Sequence, residues 1–569
     1  MYRDPKLATP KVQVVFPPDL VELWMEALRE PELELRRRAA AAIGRAEGRG
    51  VPGLEATIPQ LMKMLARPDQ DRMVRLTTAQ TLVTLDARRA ADLLFENLAP
   101  MDLDTAELVE PALARWGYPP AREMWLKRLD SPITFRRLHV LAIQGLTTLG
   151  ETRAIPKLRE LALDDRKSPS VRLAAATGLG ELEKSGLEDI AKELVTDKSP
   201  GSVVDRLVAA KMLLGHRGAE LEELLAELAT DPIPSVQAIA LRRLLRIDAE
   251  LVMPLVEHAI DSSDVNVRRL AAEALIAVAV TPKDDCVASL SPLMDDPNPT
   301  LRRFVRESLV DLAGHSSLQD TVIAEGERVL GLDGWRGQQQ AIQLLVALDD
   351  KAIADRLLEL LDSERMEVHT TAAWGLCQLN VPSTIERIHD VFEAKSDRWR
   401  KEAIKPAAGT EIQLAHLAQL IGKRRHMPAD ALLRTYIPKN SGFHPTSRAA
   451  AIWSLGCLHA NQPDARLARQ LRQRLTDTNS DEPEHPLVRR MSSVALGRMN
   501  ASQSLRALRS ILRRDGIHES TGVACAWAIH RITEEPMAPV EPLVFRDRNW
   551  FLVPEIGGRE EKGEAGSDE

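Results

Sequence analysis

The feature that most constrains this chain is an amphipathic helical segment that recurs along its length. Its clearest copy, residues 261–280, reads DSSDVNVRRLAAEALIAVAV. At about 100° per residue, one face of a helix collects Val267, Ala271, Ala274, Leu275 and Val278. The Asp and Ser residues before that helix offer side-chain oxygens to its first free N–H groups. Such a helix cannot bury its apolar face alone, so it requires neighbours of the same kind.

Similar segments recur at regular spacing. The residues equivalent to Leu275 are Ile43, Leu82, Leu113, Leu146, Leu179, Leu213, Leu244, Leu275, Leu309, Leu345, Leu376, Leu417, Leu455, Leu496 and Ile529. From Leu82 to Leu376 the steps are about 31 to 36 residues, which is typical of helix-pair repeats. Each clear unit reads as a first helix, a turn that begins with Asp, and a second helix that opens with Val-Arg or Leu-Arg. We therefore expect an all-α fold, an α-solenoid of about fifteen helix pairs.

Composition agrees with stacked helices and narrows the class of protein. At 569 residues the chain is longer than one globular core usually allows. Hydrophobic residues make up 44% of it but aromatic residues only 4%, so Leu, Ala, Val and Ile must form the core. The four cysteines lie far apart without CxxC spacing, which argues against a disulfide framework or a zinc ribbon. The sequence shows no leader pattern and no apolar run of membrane-spanning length, which predicts a soluble cytoplasmic protein.

Several of the second helices resemble HEAT repeats, close to the bacterial subtype that is also found in phycobilin lyases. The segments that carry this similarity are SPSVRLAAATGLGEL (168–182), DVNVRRLAAEAL (264–275), DPNPTLRR (296–303) and HPLVRRMSSVALGRM (485–499). The resemblance covers nearly the whole chain and implies a right-handed superhelix. It also implies that loop aspartates and four arginines brace neighbouring turns: Arg172, Arg268, Arg302 and Arg489. Because this family hosts scaffolds, adaptors, lyase-like proteins and a class of DNA glycosylases, it implies the fold more than the activity.

The sequence divides into five parts. Residues 1–18 are interrupted by prolines and predict an extended N-terminal cap, and residues 19–380 carry the regular repeats. Residues 381–533 continue the repeats with longer spacing. Residues 534–556 are apolar but rich in proline, which predicts an extended C-terminal cap. Residues 557–569 predict a disordered acidic tail.

The irregular part, residues 381–533, differs from the rest in both spacing and charge. Its additional length falls in three segments, 397–411, 422–445 and 478–486. Such insertions either form loops on a binding face or reflect drift of the repeat. This part holds 24 Lys and Arg against 14 Asp and Glu, a net charge of +10, although the whole chain carries −8. The excess indicates an anionic partner or an internal contact with the acidic tail; alternatively, arginine is simply favoured on helix surfaces.

Second helices of a helix-pair solenoid line its concave side, and the residue two before each aligned leucine points away from the core. We call these residues the outward row. The outward row is Ala41, Gln80, Pro111, Gln144, Thr177, Lys211, Arg242, Glu273, Glu307, Gln343, Trp374, Ala415, Trp453, Val494 and Trp527. An outward Trp exposes a large apolar face that commonly anchors an interface. The same rings are buried instead if the insertions fold back over the concave side.

Other candidate contact residues accompany these tryptophans. The full set that we expect to contact a partner is Trp374, Cys377, Trp453, Trp527, His530, Lys423, Arg424 and Arg425. We predict no metal site and no cofactor, because the histidines between 369 and 530 form no HExxH motif or other ligand pair at helical spacing. We also predict no catalytic residue, since no base can be named beside Cys377.

These observations leave several functions open. The first is a non-enzymatic, monomeric scaffold or adaptor that binds a protein partner on its concave surface, mainly through residues 370–533. The second is nucleic-acid binding, either as in the HEAT-like DNA glycosylases or as single-strand binding, although the last units lack an acidic residue in the outward row. The third is a phycobilin-lyase-like protein, but such proteins are usually much shorter and nothing here marks a bilin pocket. We predict the first.

Overall fold

The computed structural model describes residues 5–7, 12–14, 19–68, 70–98, 103–131, 135–197, 199–279, 286–401, 408–537 and 543–545. Within these residues the chain forms thirty α-helices in fifteen consecutive pairs. The first helices of the pairs are α1 (Leu20–Ala27), α3 (Ile58–Leu65), α5 (Ala91–Glu96), α7 (Pro119–Asp130), α9 (Ile155–Leu163), α11 (Glu188–Val195), α13 (Ala219–Ala229), α15 (Val256–Ile260), α17 (Cys286–Leu290), α19 (Gln319–Leu330), α21 (Ala354–Leu360), α23 (Ile385–Lys401), α25 (Asp430–Arg434), α27 (Ala465–Thr476) and α29 (Leu505–Asp515). The second helices are α2 (Leu33–Glu47), α4 (Arg72–Thr84), α6 (Leu103–Arg115), α8 (Arg136–Thr148), α10 (Pro169–Leu182), α12 (Val203–Met212), α14 (Pro234–Ile247), α16 (Val265–Val278), α18 (Pro299–Leu312), α20 (Trp335–Ala347), α22 (Met366–Leu379), α24 (Thr410–Lys423), α26 (Pro445–Leu458), α28 (Pro486–Arg498) and α30 (Ser520–Thr533).

Shorter elements complete the fold. The described residues also form ten 3-10 helices, most of which adjoin first helices. They are Leu54–Thr57, Arg88–Ala90, Thr152–Ala154, Pro200–Ser202, Ala249–Leu251, Met253–Leu255, Ser291–Asp295, Pro382–Thr384, Met427–Ala429 and Ser502–Ser504. Two three-residue strands, β1 (Val12–Val14) and β2 (Leu543–Phe545), form a two-stranded sheet. The predicted tail, residues 557–569, lies outside the described residues, as do most residues of the predicted caps.

Helix α16 forms where the periodicity predicts it, and for the predicted reason. Its apolar face is buried: Val267, Ala271, Ala274, Leu275 and Val278. Asp264 caps the helix, because its carboxylate accepts hydrogen bonds from the N–H groups of Asn266 and Val267 at 2.8 and 3.3 Å. All fifteen residues equivalent to Leu275 are buried as well, which confirms the repeat register along the whole array.

The helix pairs belong to two compact units. One contains residues 13–274 and the other residues 275–543, each with a short terminal segment. In the first unit, the second helices from α2 to α14 pack on one another in order, and the first helices from α1 to α13 each pack on the second helix of their own pair. The other unit repeats this arrangement from α18 to α30. Each helix therefore buries its apolar face against its pair partner and its neighbours in the array, as a solenoid requires.

Second helices at the end of the array approach one another very closely. A Cβ added at Gly456 of α26 would lie 2.7 Å from the Cα of Ala495 in α28. A Cβ added at Gly497 of α28 would lie 2.8 Å from the Cα of Ala528 in α30. Only glycine fits at such positions, so small residues set the short distance between these helices.

Two of the four repeat arginines contact carboxylates of the following helix pair. The Nη2 of Arg172 lies 2.5 Å from the Oδ1 of Asp205, and the Nη2 of Arg489 lies 2.9 Å from the Oδ2 of Asp515. Both arginines are largely buried, and each also donates to a carbonyl before its own helix. These contacts join consecutive pairs.

The other two repeat arginines contact the turn before their own helix. Arg268 donates from Nη1 to the carbonyl of Ser262 at 2.8 Å, and Arg302 donates from Nη1 to the carbonyl of Asp296 at 2.6 Å. A fifth arginine, Arg206, was outside the predicted set. Its Nε lies 2.6 Å from the carboxylate of the loop residue Asp231, and both side chains are buried.

The helices give no indication of a membrane span. None of those in the described ranges is both long enough and apolar enough to cross a bilayer.

Candidate functional site

Four consecutive second helices, α18, α20, α22 and α24, enclose a cavity of about 550 Å³. We call it the Trp374 groove. It is lined by Arg306, Glu307, Val310, Asp311, Gln343, Ala347, Thr370, Thr371, Trp374, Ile412 and His416. The volume lies within the range of ordinary ligand pockets, and the lining combines apolar surface with a few polar groups.

Three members of the outward row meet in this groove. Glu307, Gln343 and Trp374 come from consecutive second helices and line the same cavity. Trp374 is half-buried. The residue after it, Gly375, lies against the first-helix layer, where an added Cβ would be 2.9 Å from the Cδ1 of Leu357. Adjacent residues of a helix point about 100° apart. Because Gly375 faces the interior of the helix pair, the indole of Trp374 points away from that interior and towards the groove.

The outward row also lines cavities in the first unit, residues 13–274. Pro111 and Gln144 border a cavity of about 730 Å³, and Gln144, Thr177 and Lys211 border one of about 450 Å³. The helical geometry used in the sequence analysis therefore identifies groove-lining positions in both units.

The groove carries an excess of negative charge. The guanidinium of Arg306 donates to Gln340 at 3.1 Å, to Gln343 and to Glu307 at 2.9 Å, so neighbouring side chains already engage it. Glu307 and Asp311 are both exposed, so two carboxylates face one guanidinium. A positively charged group would be favoured next to Asp311.

His416 contributes a neutral imidazole to the groove. Burial lowers its pKa to about 4, so the ring is uncharged at neutral pH. Its Nδ1 is buried and has no hydrogen-bond partner among the described residues. Protein atoms enclose this nitrogen, so His416 lines the groove without presenting its Nδ1 to an occupant.

Trp453 and Cys377 are not placed as the sequence analysis expects. Trp453 is only 5% exposed, because the closely packed second helices leave little room around it and the guanidinium of Arg498 lies over its ring at 4.6 Å. Cys377 is buried at the interface of α22 and α24, 3.8 Å from the Oε1 of Gln419. Burial raises the pKa of its thiol. The expectation that these two side chains contact a partner is therefore wrong for this conformation.

Trp527 and His530 lie near the end of the array, away from the groove lining. Trp527 is half-buried, with its ring against α28 at Gly497. His530 is exposed, and its Nδ1 lies 2.7 Å from the carbonyl oxygen of Glu535. Trp374 and Trp527 therefore keep accessible surface but do not share one cavity.

The three basic residues at the end of α24, Lys423, Arg424 and Arg425, are only partly available for contact with a partner. Lys423 donates from Nζ to the carbonyl of Cys377 at 2.6 Å, which ties α24 to α22. Arg424 is half-buried and Arg425 is exposed. None of the three lines the Trp374 groove.

Most of the exposed positive charge of the irregular part lies on first helices. Helices α27 and α29 present a set of exposed arginines, namely Arg466, Arg469, Arg506, Arg509, Arg513 and Arg514. These arginines and the tryptophans of the outward row therefore lie on different helix layers.

Sequence reasoning missed several residues of the groove. Arg306 directly precedes the outward-row residue Glu307, and Asp311 follows Glu307 by four residues. His416 directly follows the outward-row residue Ala415. Helical geometry places Asp311 on the same face as Glu307, which lies one turn earlier, so a wider search along that face would have found it, whereas Arg306 and His416 point about 100° away from the row and could not be found in this way.

Comparison with protein-family models and with curated proteins found no match. Among solved structures, a crystal structure of a Kap121p mutant is similar, with a TM-score of 0.52 and 12% identity over 91% of this chain and 57% of that chain. A crystal structure of importin beta is also similar, with a TM-score of 0.48 and 16% identity. Yeast importin-beta (Kap95p) matches with a TM-score of 0.46 and 12% identity. Each of these two matches covers 90% of this chain and 72% of the other chain. At such identities, the similarity to Kap121p shows the fold alone. The chain is an all-α solenoid of helix pairs.

Proposed function

We propose that this protein is a non-enzymatic scaffold that binds a segment of a protein partner in the Trp374 groove. The observation that carries this proposal is the half-buried indole of Trp374, which faces a cavity built by four consecutive second helices. Large aromatic side chains in such positions commonly dominate the binding energy of an interface. A row of parallel helices also offers a surface long enough for a standard interface of about 800 Å² per partner.

The chemistry of the groove favours a particular kind of segment. Trp374 and the exposed side chain of Ile412 offer apolar contact, whereas Asp311 offers a negative charge. An apolar side chain next to Lys or Arg would satisfy both features. This differs from the anionic partner suggested by the net charge of the irregular part.

The lining also supports a binding role rather than catalysis. Its described residues include no Ser, Cys or Lys that could act as a nucleophile. The hydroxyl groups of Thr370 and Thr371 donate to carbonyls of their own helix, both at 2.6 Å. The Nδ1 of His416 has no hydrogen-bond partner among the described residues.

Selection of peptides from a random display library against the purified full-length chain tests this proposal. We expect enrichment of peptides with an aromatic or aliphatic residue next to Lys or Arg. Trp374→Ala should weaken their binding by at least about tenfold, since anchor residues are worth more than about 1.4 kcal/mol. Asp311→Lys should also weaken binding.

Trp116→Ala serves as the matched control, since Trp116 is a half-buried tryptophan outside the groove. Trp527→Ala shows whether the contact surface extends to α30, as the sequence analysis proposes. Equal binding to the wild type and to Trp374→Ala would contradict the proposal, and so would the absence of any enriched peptide.

The exposed arginines of α27 and α29 favour nucleic-acid binding as a second candidate function. The two helices pack side by side, so their arginines form one basic surface on the first-helix layer. An electrophoretic shift assay at about 50 mM salt, where phosphate contacts are strong, tests it. Retention that is lost in an Arg466→Ala/Arg469→Ala/Arg506→Ala variant supports this function, whereas no retention excludes it.

A further inference from the structure

Two histidines and a glutamate from separate elements of the irregular part, residues 381–533, lie close together. Glu386 and His389 lie one turn apart on α23, and His426 lies in the loop between α24 and α25. One potential ligand atom from each residue lies within 4.8 Å of the other two. No metal site is predicted from the sequence, because the histidines form no ligand pair at helical spacing, whereas here a carboxylate lies three residues before one histidine and the second histidine lies 37 residues further on.

The individual distances are close to those of a coordination sphere. The Nε2 of His426 lies 3.1 Å from the Nδ1 of His389 and 3.9 Å from the Oε2 of Glu386. Donor atoms at about 2.0 to 2.2 Å from a tetrahedral Zn²⁺ ion are separated by about 3.3 Å. The two imidazole nitrogens are close to this separation. The carboxylate oxygen is less than 1 Å too far from the Nε2 of His426, and a carboxylate oxygen of Glu386 lies within 4.8 Å of both histidine nitrogens.

The fold fixes the position of His426 and leaves the side chain of Glu386 adjustable. His426 is buried, and its backbone N–H donates to the carbonyl of Ile421 at 3.1 Å. The residue before it, Arg425, adopts a left-handed conformation with φ of 50°, which ends α24 and directs His426 towards α23. The side chain of Glu386 is 77% exposed, so it is free to rotate towards the two rings.

We propose that Glu386, His389 and His426 bind one Zn²⁺ ion. Two imidazole nitrogens and one carboxylate oxygen form a donor set that suits Zn²⁺, and three protein ligands leave a fourth position for water. The ion would connect α23 to the loop that leads into α25, and thus join two consecutive helix pairs. This proposal is independent of the Trp374 groove.

A direct N–H···N hydrogen bond between the two histidines is the alternative explanation of their contact. It requires one ring to keep a proton on the nitrogen that faces the other, whereas metal binding requires a lone pair on both. Addition of Zn²⁺ to the full-length chain distinguishes the two arrangements.

Isothermal titration with Zn²⁺ alone, on the full chain without an affinity tag, is the test. We expect one ion per chain at this site. Loss of a group that merely orients a metal ligand costs about 10- to 100-fold in affinity, so His389→Ala and Glu386→Gln should each weaken binding by at least about tenfold. His518→Ala is the matched control, because His518 is an exposed histidine outside the cluster. It should bind Zn²⁺ as the wild type does.

Hydrogen exchange of the same proteins provides a second readout. With Zn²⁺, amides near residues 385–390 and 424–430 should exchange more slowly in the wild type and in His518→Ala, but not in His389→Ala. The proposal is overturned if the full chain binds no Zn²⁺, if His389→Ala binds it with unchanged affinity, or if protection increases elsewhere and not in these segments.

Discussion

Removal of the Glu484 carboxylate should unfold the end of the array locally. Glu484 comes from the insertion at residues 478–486 and accepts two hydrogen bonds from Arg448 of α26, both at 2.9 Å. Arg474 donates a third at 3.1 Å. Burial alone would raise the pKa of Glu484, but the hydrogen bonds and charge of Arg448 outweigh it and hold the pKa below its ordinary value. The carboxylate is therefore ionised at neutral pH.

The magnitude follows from what Glu484→Ala leaves behind. Arg448 is only 3% exposed, so the variant buries a guanidinium without its counter-charge. Breaking a buried ion pair from one side costs about 3 to 5 kcal/mol. Arg448 keeps its hydrogen bonds to the carbonyls of Tyr436 and Ile437, at 3.1 and 3.0 Å, which favours the lower end of that range. A loss of about 3 kcal/mol corresponds to a roughly 150-fold increase in local opening.

Hydrogen exchange measured by mass spectrometry on the intact chain resolves this effect by segment. Solenoids open locally, so a single global unfolding free energy would average the effect away. Amides of α26 and α28 should exchange roughly 150-fold faster in Glu484→Ala, whereas amides of α2 and α4 should not change. Glu482→Ala is the matched control, because this neighbouring glutamate is exposed and its side chain is not part of the ion pair.

Two outcomes would refute the reasoning. Equal exchange in Glu484→Ala and Glu482→Ala would show that the buried pair contributes nothing locally. The double variant Arg448→Met/Glu484→Leu removes both charges and should recover most of the protection, since an apolar pair in such a site is often neutral or stabilising. If it opens as readily as Glu484→Ala, lost packing rather than an uncompensated charge is the cause.

Two further predictions concern the tryptophans and the groove histidine. Trp453→Ala should destabilise α26 by about 3 to 5 kcal/mol because the ring is buried, whereas Trp374→Ala should destabilise α22 by about 1 kcal/mol or less. Hydrogen exchange of the two helices measures both effects. Equal losses of stability would contradict the burial of Trp453. Burial lowers the pKa of His416 from 6.5 to about 4, so between these pH values the unfolded state binds a proton that the folded state does not. Stability of the α24 region should therefore fall as the pH is lowered through this window, and His416→Gln should lose that part of the pH dependence. Hydrogen exchange of α24 at several pH values measures the effect, and an identical pH dependence in the two proteins would disprove it.

Much of the fold could be predicted because repeat helices are determined by local periodicity. The buried face around Leu275 and the capping role of the residues before α16 both follow from spacing along one helix. The same geometry placed Trp374 and its row neighbours Glu307 and Gln343 on one side of the array, where they line a single groove.

Contacts between helices could not be predicted in this way. Whether an outward indole stays accessible depends on the distance between neighbouring second helices, which Gly456 and Ala495 make short around Trp453. The pairing of Glu484 with Arg448 likewise depends on the path of an insertion.

The sequence by itself determined the helices, their register and the side of each helix that faces its neighbours, since these properties depend on residues three or four positions apart. Tertiary structure alone decided which of the outward residues remain accessible and which distant groups meet. Glu386 and His389 lie 37 or more residues before His426. Their contact depends on how two helices and a left-handed turn are packed, and no periodic pattern in the chain encodes that distance.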